Sequence, residues 1–157
     1  MQKTKLFILC VGLCATLSCS EELKPTPYTY TKLFTGENNK SWRIKLFEET
    51  LRDTVVNRSL PSCLTDDRFI FYANAEHRYE TTSGARQCFE DEASVTVSNW
   101  TFSNSSATLT MVFPLLADDA LPFFVREIDG DDMEIEIYLN EENTESYRIH
   151  FSATDEE

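Results

Sequence analysis

The chain has 157 residues, of which 41% are apolar and 12% aromatic, enough for one globular domain with its own core and too apolar for a disordered chain. Its formal net charge of −13 argues against nucleic acid, whose binding needs a basic footprint, and against electrostatic docking on anionic headgroups. The acidity reads as solubility at a crowded surface.

Residues 1–18 read as an export signal rather than structure. Lys3 and Lys5 precede an apolar run from Leu6 to Leu17, twelve residues long and too short to span a bilayer comfortably. Three of the five cysteines, Cys10, Cys14 and Cys19, lie in this run or at its end. Cys63 and Cys88 are left as an even pair in the body of the chain. Behind an export signal they meet an oxidising compartment, where a disulfide persists. A zinc pair would need histidine ligands, and none is near.

Small Ser18 directly before Cys19 resembles the lipobox of bacterial lipoproteins. That resemblance implies that Cys19 carries a diacylglycerol, becomes the mature first residue, and makes the membrane a partner. An ordinary secreted protein cut nearby is the alternative. Ser20-Glu21-Glu22 is similar to the surface-export signal of some Gram-negative lipoproteins, which implies a lipid-anchored, outward-facing place on the outer membrane. Residues 19–38 then form a lipidated N-terminus and tether, stiffened by Pro25 and Pro27. Tyr30 to Thr35 has the length of one helical turn, broken by Gly36-Glu37-Asn38-Asn39.

The domain occupies residues 39–157. Lys40 to Ile44 opens it as a strand with Trp42 near its start, and Thr54 to Arg58 is a second strand. From Cys63 to Cys88 the pattern is a β-hairpin closed at its open end by the disulfide: an acidic turn with Asp66-Asp67, the run Phe69 to Tyr72, a polar loop, Tyr79 and Gly84. Opposed residues in an antiparallel pair share a constant sum, and a one-residue shift swaps the faces. Setting Phe71 opposite Tyr79 and Phe69 opposite Thr81 gathers the aromatics on one face, so this register is preferred to one with Tyr72 opposite Tyr79. A disulfide closing a loop of this length stabilises by about 3 kcal/mol in the chain-entropy picture.

Ser94 to Phe102 reads as a strand with Val95, Val97, Trp100 and Phe102 apolar and a bulge at Ser98-Asn99. Leu109, Met111 and Phe113 alternate with polar residues. Pro114 to Pro122 reads as a loop, Phe123 to Ile128 as a strand, and Asp129 to Asp132 as a tight turn. Met133, Ile135, Ile137 and Leu139 alternate in the plainest half-buried strand, and Tyr147, Ile149 and Phe151 alternate in the last. About eight short strands, tight turns and no amphipathic helix predict an all-β, antiparallel up-and-down β-barrel with one disulfide.

Lys40-Ser41-Trp42, Cys63 with Asp66-Asp67, Phe69, Phe71, Tyr79, Gly84, Cys88 and Trp100-Thr101-Phe102 together resemble the lipocalin-like domains of Gram-negative envelope lipoproteins, over Lys40 to Thr154. In lipocalins a Trp near the start of the first strand plugs the barrel floor and a late Arg packs over it. The resemblance implies these roles for Trp42 and Arg148, with Lys40 standing where the signature has Gly. It brings no catalytic residues.

The chemical inventory is thin. His77 falls near a turn and His150 has outward parity, and the nucleophile-elbow, phosphate-loop and metal-protease patterns are absent, so the chain reads as no enzyme and calls for no cofactor or metal. Asp129-Gly130-Asp131 lacks calcium-loop spacing and is explained as a turn. Asp53-Thr54-Val55 resembles an O-glycosylation acceptor used by envelope proteins of such bacteria, with Thr54 as the acceptor. An eight-stranded barrel holds one small ligand or is filled by its own side chains. The first expectation is a small apolar ligand on the interior residues Phe69, Phe71, Tyr79, Trp100 and Phe102. The alternative is an interaction module with a filled barrel that binds an envelope protein or glycan.

Overall fold

The structure, a computed structural model, describes residues 29–52, 54–88 and 90–154. The expected export signal, Cys19 and the expected tether up to residue 28 lie outside the described residues, as does Asp53 of the glycosylation-like triplet. Helix α1 (Thr29–Thr35) ends where Gly36, at φ 60°, turns its N–H back to the Lys32 carbonyl at 2.8 Å. Ten strand segments follow: β1 (Asn39–Leu51), β2 (Thr54–Arg58), β3 (Arg68–Tyr72), β4 (Arg78–Thr82), β5 (Val95–Asn99), β6 (Thr101–Ser103), β7 (Thr108–Phe113), β8 (Ala117–Ile128), β9 (Asp132–Tyr138) and β10 (Glu145–Thr154).

All pairings are antiparallel, in the order β5-β4-β3-β1-β10-β9-β8-β7-β6, with β2 attached to the far half of β1. The two ends of that order, β5 and β6, are consecutive in the chain and separated only by Trp100. One bent strand therefore leaves β4 and joins β7. The result is a nearly closed up-and-down barrel, as the alternation predicted; its path has nine strand segments where about eight strands were expected, because the bent strand is counted as both β5 and β6.

Local chemistry explains the details. The β3–β4 register sets Phe71 opposite Tyr79 and Phe69 opposite Thr81, the pairing that gathers the aromatics inside. Its turn is longer than a tight one and starts at Asn74, whose Oδ1 accepts the Arg78 N–H at 2.8 Å. The expected bulge at Ser98-Asn99 is a break one residue later, at Trp100, whose indole turns into the core.

The expected loop from Pro114 to Pro122 is shorter, because β8 already starts at Ala117. Pro122 is tolerated for a geometric reason. Val125 N–H bonds to the Ala107 carbonyl, so by alternation Pro122 and Thr110 form a non-hydrogen-bonded pair. The Pro122 nitrogen then faces the β9 side, where pairing begins only at Phe124.

One end of the barrel is shut. Phe34 of α1 is wholly buried there and touches Phe71, Trp100 and Phe102 at ring-centroid distances of 6.0, 5.8 and 5.1 Å. Trp42 is also fully buried, and its Nε1 donates to the Phe34 carbonyl at 2.9 Å. The floor role expected of Trp42 with Arg148 needs a correction. Arg148 lies on the outer face of β10, 3.3 Å from Glu134 and 3.5 Å from Glu136, because it alternates with the inward Ile149. The cation over the Trp42 indole is Lys40, with Nζ 4.2 Å from the ring centroid and hydrogen bonds to the Leu33 and Gly130 carbonyls.

Candidate functional site

The aromatic residues expected to line a ligand cavity instead pack on one another. Phe69, Phe71, Tyr79 and Trp100 are each at most 3% exposed. Phe71 meets Tyr79 at 4.8 Å and Trp100 at 5.8 Å, while Phe69 stacks on Phe113 at 5.4 Å and meets Phe151 edge-on at 5.3 Å. Phe102 is only partly buried and sits over α1, 5.6 Å from Tyr30. Leu109, Met111, Phe123, Met133, Ile135 and Ile149 fill the space between these groups. Two buried polar atoms inside, Tyr79 Oη and Trp100 Nε1, have no protein hydrogen-bond partner. Burial pushes the Tyr79 hydroxyl well above the usual tyrosine range.

The opposite end of the barrel is built differently. The Cys63–Cys88 disulfide crosses it, with Cα atoms 5.2 Å apart. Beside it the two acidic residues of the Cys63–Cys88 stretch act as clamps. Asp67 Oδ1 accepts the Gly84 N–H at 3.0 Å, and Asp66 Oδ2 accepts the Ala85 N–H at 2.7 Å. Gly84 is required by this close approach, since a Cβ there would lie 2.2 Å from the Asp66 carboxyl carbon. Burial holds the Asp67 carboxyl above the usual aspartate range, against the Gly84 hydrogen bond and with help from Glu92 and Asp66 nearby.

These groups border a recess of about 200 Å³. Leu64, Phe69, Pro114 and Leu115 give it an apolar floor and wall, and Asp67, Glu92 and Asp118 give it acidity. No Lys or Arg lines it. Thr81 to Ser83 and Thr96 place it beside β5. Of the five aromatics expected to touch a ligand, only Phe69 reaches this recess.

Leu64, Glu92, Thr96 and Leu115 carried no sequence signal of their own. Val95 and Val97 did carry one. They look like core residues in the strand pattern, yet they are 46% and 56% exposed. Tyr79 faces inward opposite Ser98, so the valines on either side of Thr96 face outward. The break at Trp100 then returns the apolar parity to the inside.

A larger depression of about 380 Å³ lies on the outer wall among Lys45, Asp132, Glu134 and His150. Several of its charged groups are already engaged: Lys45 with Asp132 at 3.5 Å, and His150 with Glu134 at 3.5 Å and with nearby Glu48 at 3.1 Å. His77 stacks on Trp100 at 4.8 Å, at φ 50° in the turn. Asp129 caps its own turn, with Oδ1 accepting the Asp131 and Asp132 N–H groups at 2.7 and 2.8 Å. Among the described residues, no group of three or more His, Cys, Asp or Glu is placed to hold a metal ion. Thr54 is exposed at the start of β2. No family model matches the chain, and neither a curated protein nor a solved structure matches it.

Proposed function

We propose that this chain is a lipid-anchored envelope protein whose barrel is a filled, rigid head that contacts an envelope partner at its open end. The observation that carries the reading is the interior itself: Phe69, Phe71, Tyr79 and Trp100 spend their surfaces on one another and on the core. Ligand cavities in proteins generally offer about 300–1,000 Å³, and the open-end recess is smaller. The anchor at Cys19 and the outer-membrane address rest on Ser18-Cys19-Ser20-Glu21-Glu22. A relationship to lipocalin-like domains is part of the proposal. The meander of strands and the buried Trp42 beneath a short N-terminal helix support it, and Lys40 in the place of the signature Gly departs from it.

A second reading, a small apolar ligand, is favoured by the apolar floor of the recess at Leu64, Phe69 and Leu115. Native mass spectrometry of the chain exported to an oxidising periplasm, with an organic extract run in parallel, separates the two. The filled-head reading expects a bare barrel. A stoichiometric extra mass that reappears in the extract replaces it with the ligand reading. Incorporation of a labelled fatty acid, lost in Cys19→Ala, tests the anchor.

A further inference from the structure

The barrel closes imperfectly at one place. At one end of the sheet order, β5 is hydrogen-bonded to β4 alone; β7 comes near its other side but, among the described residues, no strand pairs with it there. The hydrogen bonds show which of its groups are free. Ser83 N–H bonds to the Ser94 carbonyl at 3.1 Å and Trp100 N–H to the His77 carbonyl at 2.9 Å. In an antiparallel ladder the bonded residues alternate, so Ser94, Thr96, Ser98 and Trp100 point their backbone groups at β4. Val95, Val97 and Asn99 therefore aim their N–H and C=O groups away from it. Natural proteins blunt such edges with Lys, Pro or a covering element. Here the edge carries two exposed valines, and the recess opens beside it.

We propose that the free edge of β5 is a strand-addition site for a basic, extended segment of a partner protein, which pairs with the backbone of Val95 and Val97 and places a Lys or Arg in the recess among Asp67, Glu92 and Asp118. This inference rests on the filled-head reading and supplies its contact. The backbone edge gives affinity without sequence demands, and the side-chain recess gives selectivity. Charge decides the occupant. The recess contains carboxylates and no cation, in a chain of net charge −13, so an acidic segment or a second acidic copy of this chain is repelled. Burial and the neighbouring carboxylates already make ionised Asp67 unfavourable, and an arriving cation relieves that.

The test uses the full lipidated chain in detergent micelles and three synthetic ten-residue peptides. One alternates Val and Thr around two central Lys, a second replaces those Lys by Glu, and a third carries Pro at two strand positions. Binding is read by fluorescence anisotropy and by amide exchange in NMR. The expected result is slowed exchange at Val95 and Val97 with no change at Thr96, which is already paired. Affinity should be about tenfold higher for the Lys peptide than for the Glu peptide and lost for the Pro peptide. Val97→Pro removes the free donor without removing a native ladder bond, and should weaken the Lys peptide about tenfold. Val97→Lys, which leaves the backbone and the recess carboxylates intact, should keep pairing and narrow the preference for the Lys peptide over the Glu peptide. Absence of protection at Val95 and Val97, equal affinity for the Lys and Glu peptides, or Lys-peptide binding unchanged by Val97→Pro overturns the proposal. Those results leave a bare barrel in native mass spectrometry untouched, so the edge assignment can fail while the filled-head reading stands.

Discussion

The two ends of the barrel use aromatic and charged residues in opposite ways. At the shut end Phe34, Trp42 and Trp100 are essentially inaccessible, and the Lys40 cation is spent on the indole face and two carbonyls. At the open end the carboxylates of Asp67, Glu92 and Asp118 face a recess with no cation, and the backbone of β5 is unpaired on one side. A closed, densely packed end is what stability requires, whereas carboxylates without a counter-ion, held on a rigid frame, are what recognition requires. The shut end should therefore dominate folding, and the open end should tolerate change with effects confined to contact.

The largest expected effect comes from the shut end. Trp42→Ala removes a fully buried indole together with its hydrogen bond to Phe34, and should cost about 3–5 kcal/mol, read as a fall in the denaturant midpoint. Substitutions at the free edge, such as Val97→Lys, should stay within about 0.5 kcal/mol. Equal losses at the two ends would erase the distinction between them.

The disulfide is next, and it sharpens the comparison because it staples the open end. Replacing both Cys63 and Cys88 by Ser should cost about 3 kcal/mol. Exchange should rise first at the Gly84 and Ala85 amides held by Asp67 and Asp66, and the shut end should stay protected. Gly84→Ala attacks the same clamp without touching the disulfide. It forces the Asp66 carboxyl away and should cost about 1–3 kcal/mol.

Much of this frame was legible from alternation. The β3–β4 register followed from Phe69, Phe71 and Tyr79, because only one pairing puts all three on one face. The inward set of β9 followed from Met133 and Ile135 in the same way. Pattern failed where one residue's role depends on a partner strand. Pro122 looked like a loop residue because sequence does not reveal which pairs in a ladder lack hydrogen bonds. Arg148 looked like a floor cation, but its parity is set by Ile149, and Lys40 was nearer to Trp42. Val95 and Val97 were legible as apolar and illegible as exposed, since the Trp100 break that reverses parity is a property of barrel closure. The recess was hidden for the same reason: Leu64, Glu92 and Leu115 are brought together only when the strands curl round.

The subtlest effects are in the pH dependence, where two carboxylates should pull in opposite directions. Glu136, on the outer wall, is 3% exposed. Burial pushes its carboxyl up, but the Ser146 hydroxyl at 2.6 Å and the Arg126 guanidinium at 2.6 Å outweigh this and hold it below the usual range. The unfolded chain then binds the proton more readily, so the stability from Glu136 is full above its unfolded pKa and is lost as pH falls through the lower folded value. Asp67 has the reverse sign. Its folded value is raised, so the folded state holds the proton more tightly, and stability declines as pH rises from the ordinary aspartate range through that value. Glu136→Gln should remove the acid-side loss at a cost of about 1–3 kcal/mol near neutral pH, because its charged hydrogen bonds go with it. Asp67→Asn keeps an acceptor for the Gly84 N–H and should flatten the second decline at little cost. Unfolding curves collected across the carboxylate range for both variants check the signs. If Asp67→Asn instead steepens that decline, the recess is not the electrostatically strained end of the molecule, and the argument for a cationic partner there loses its physical support.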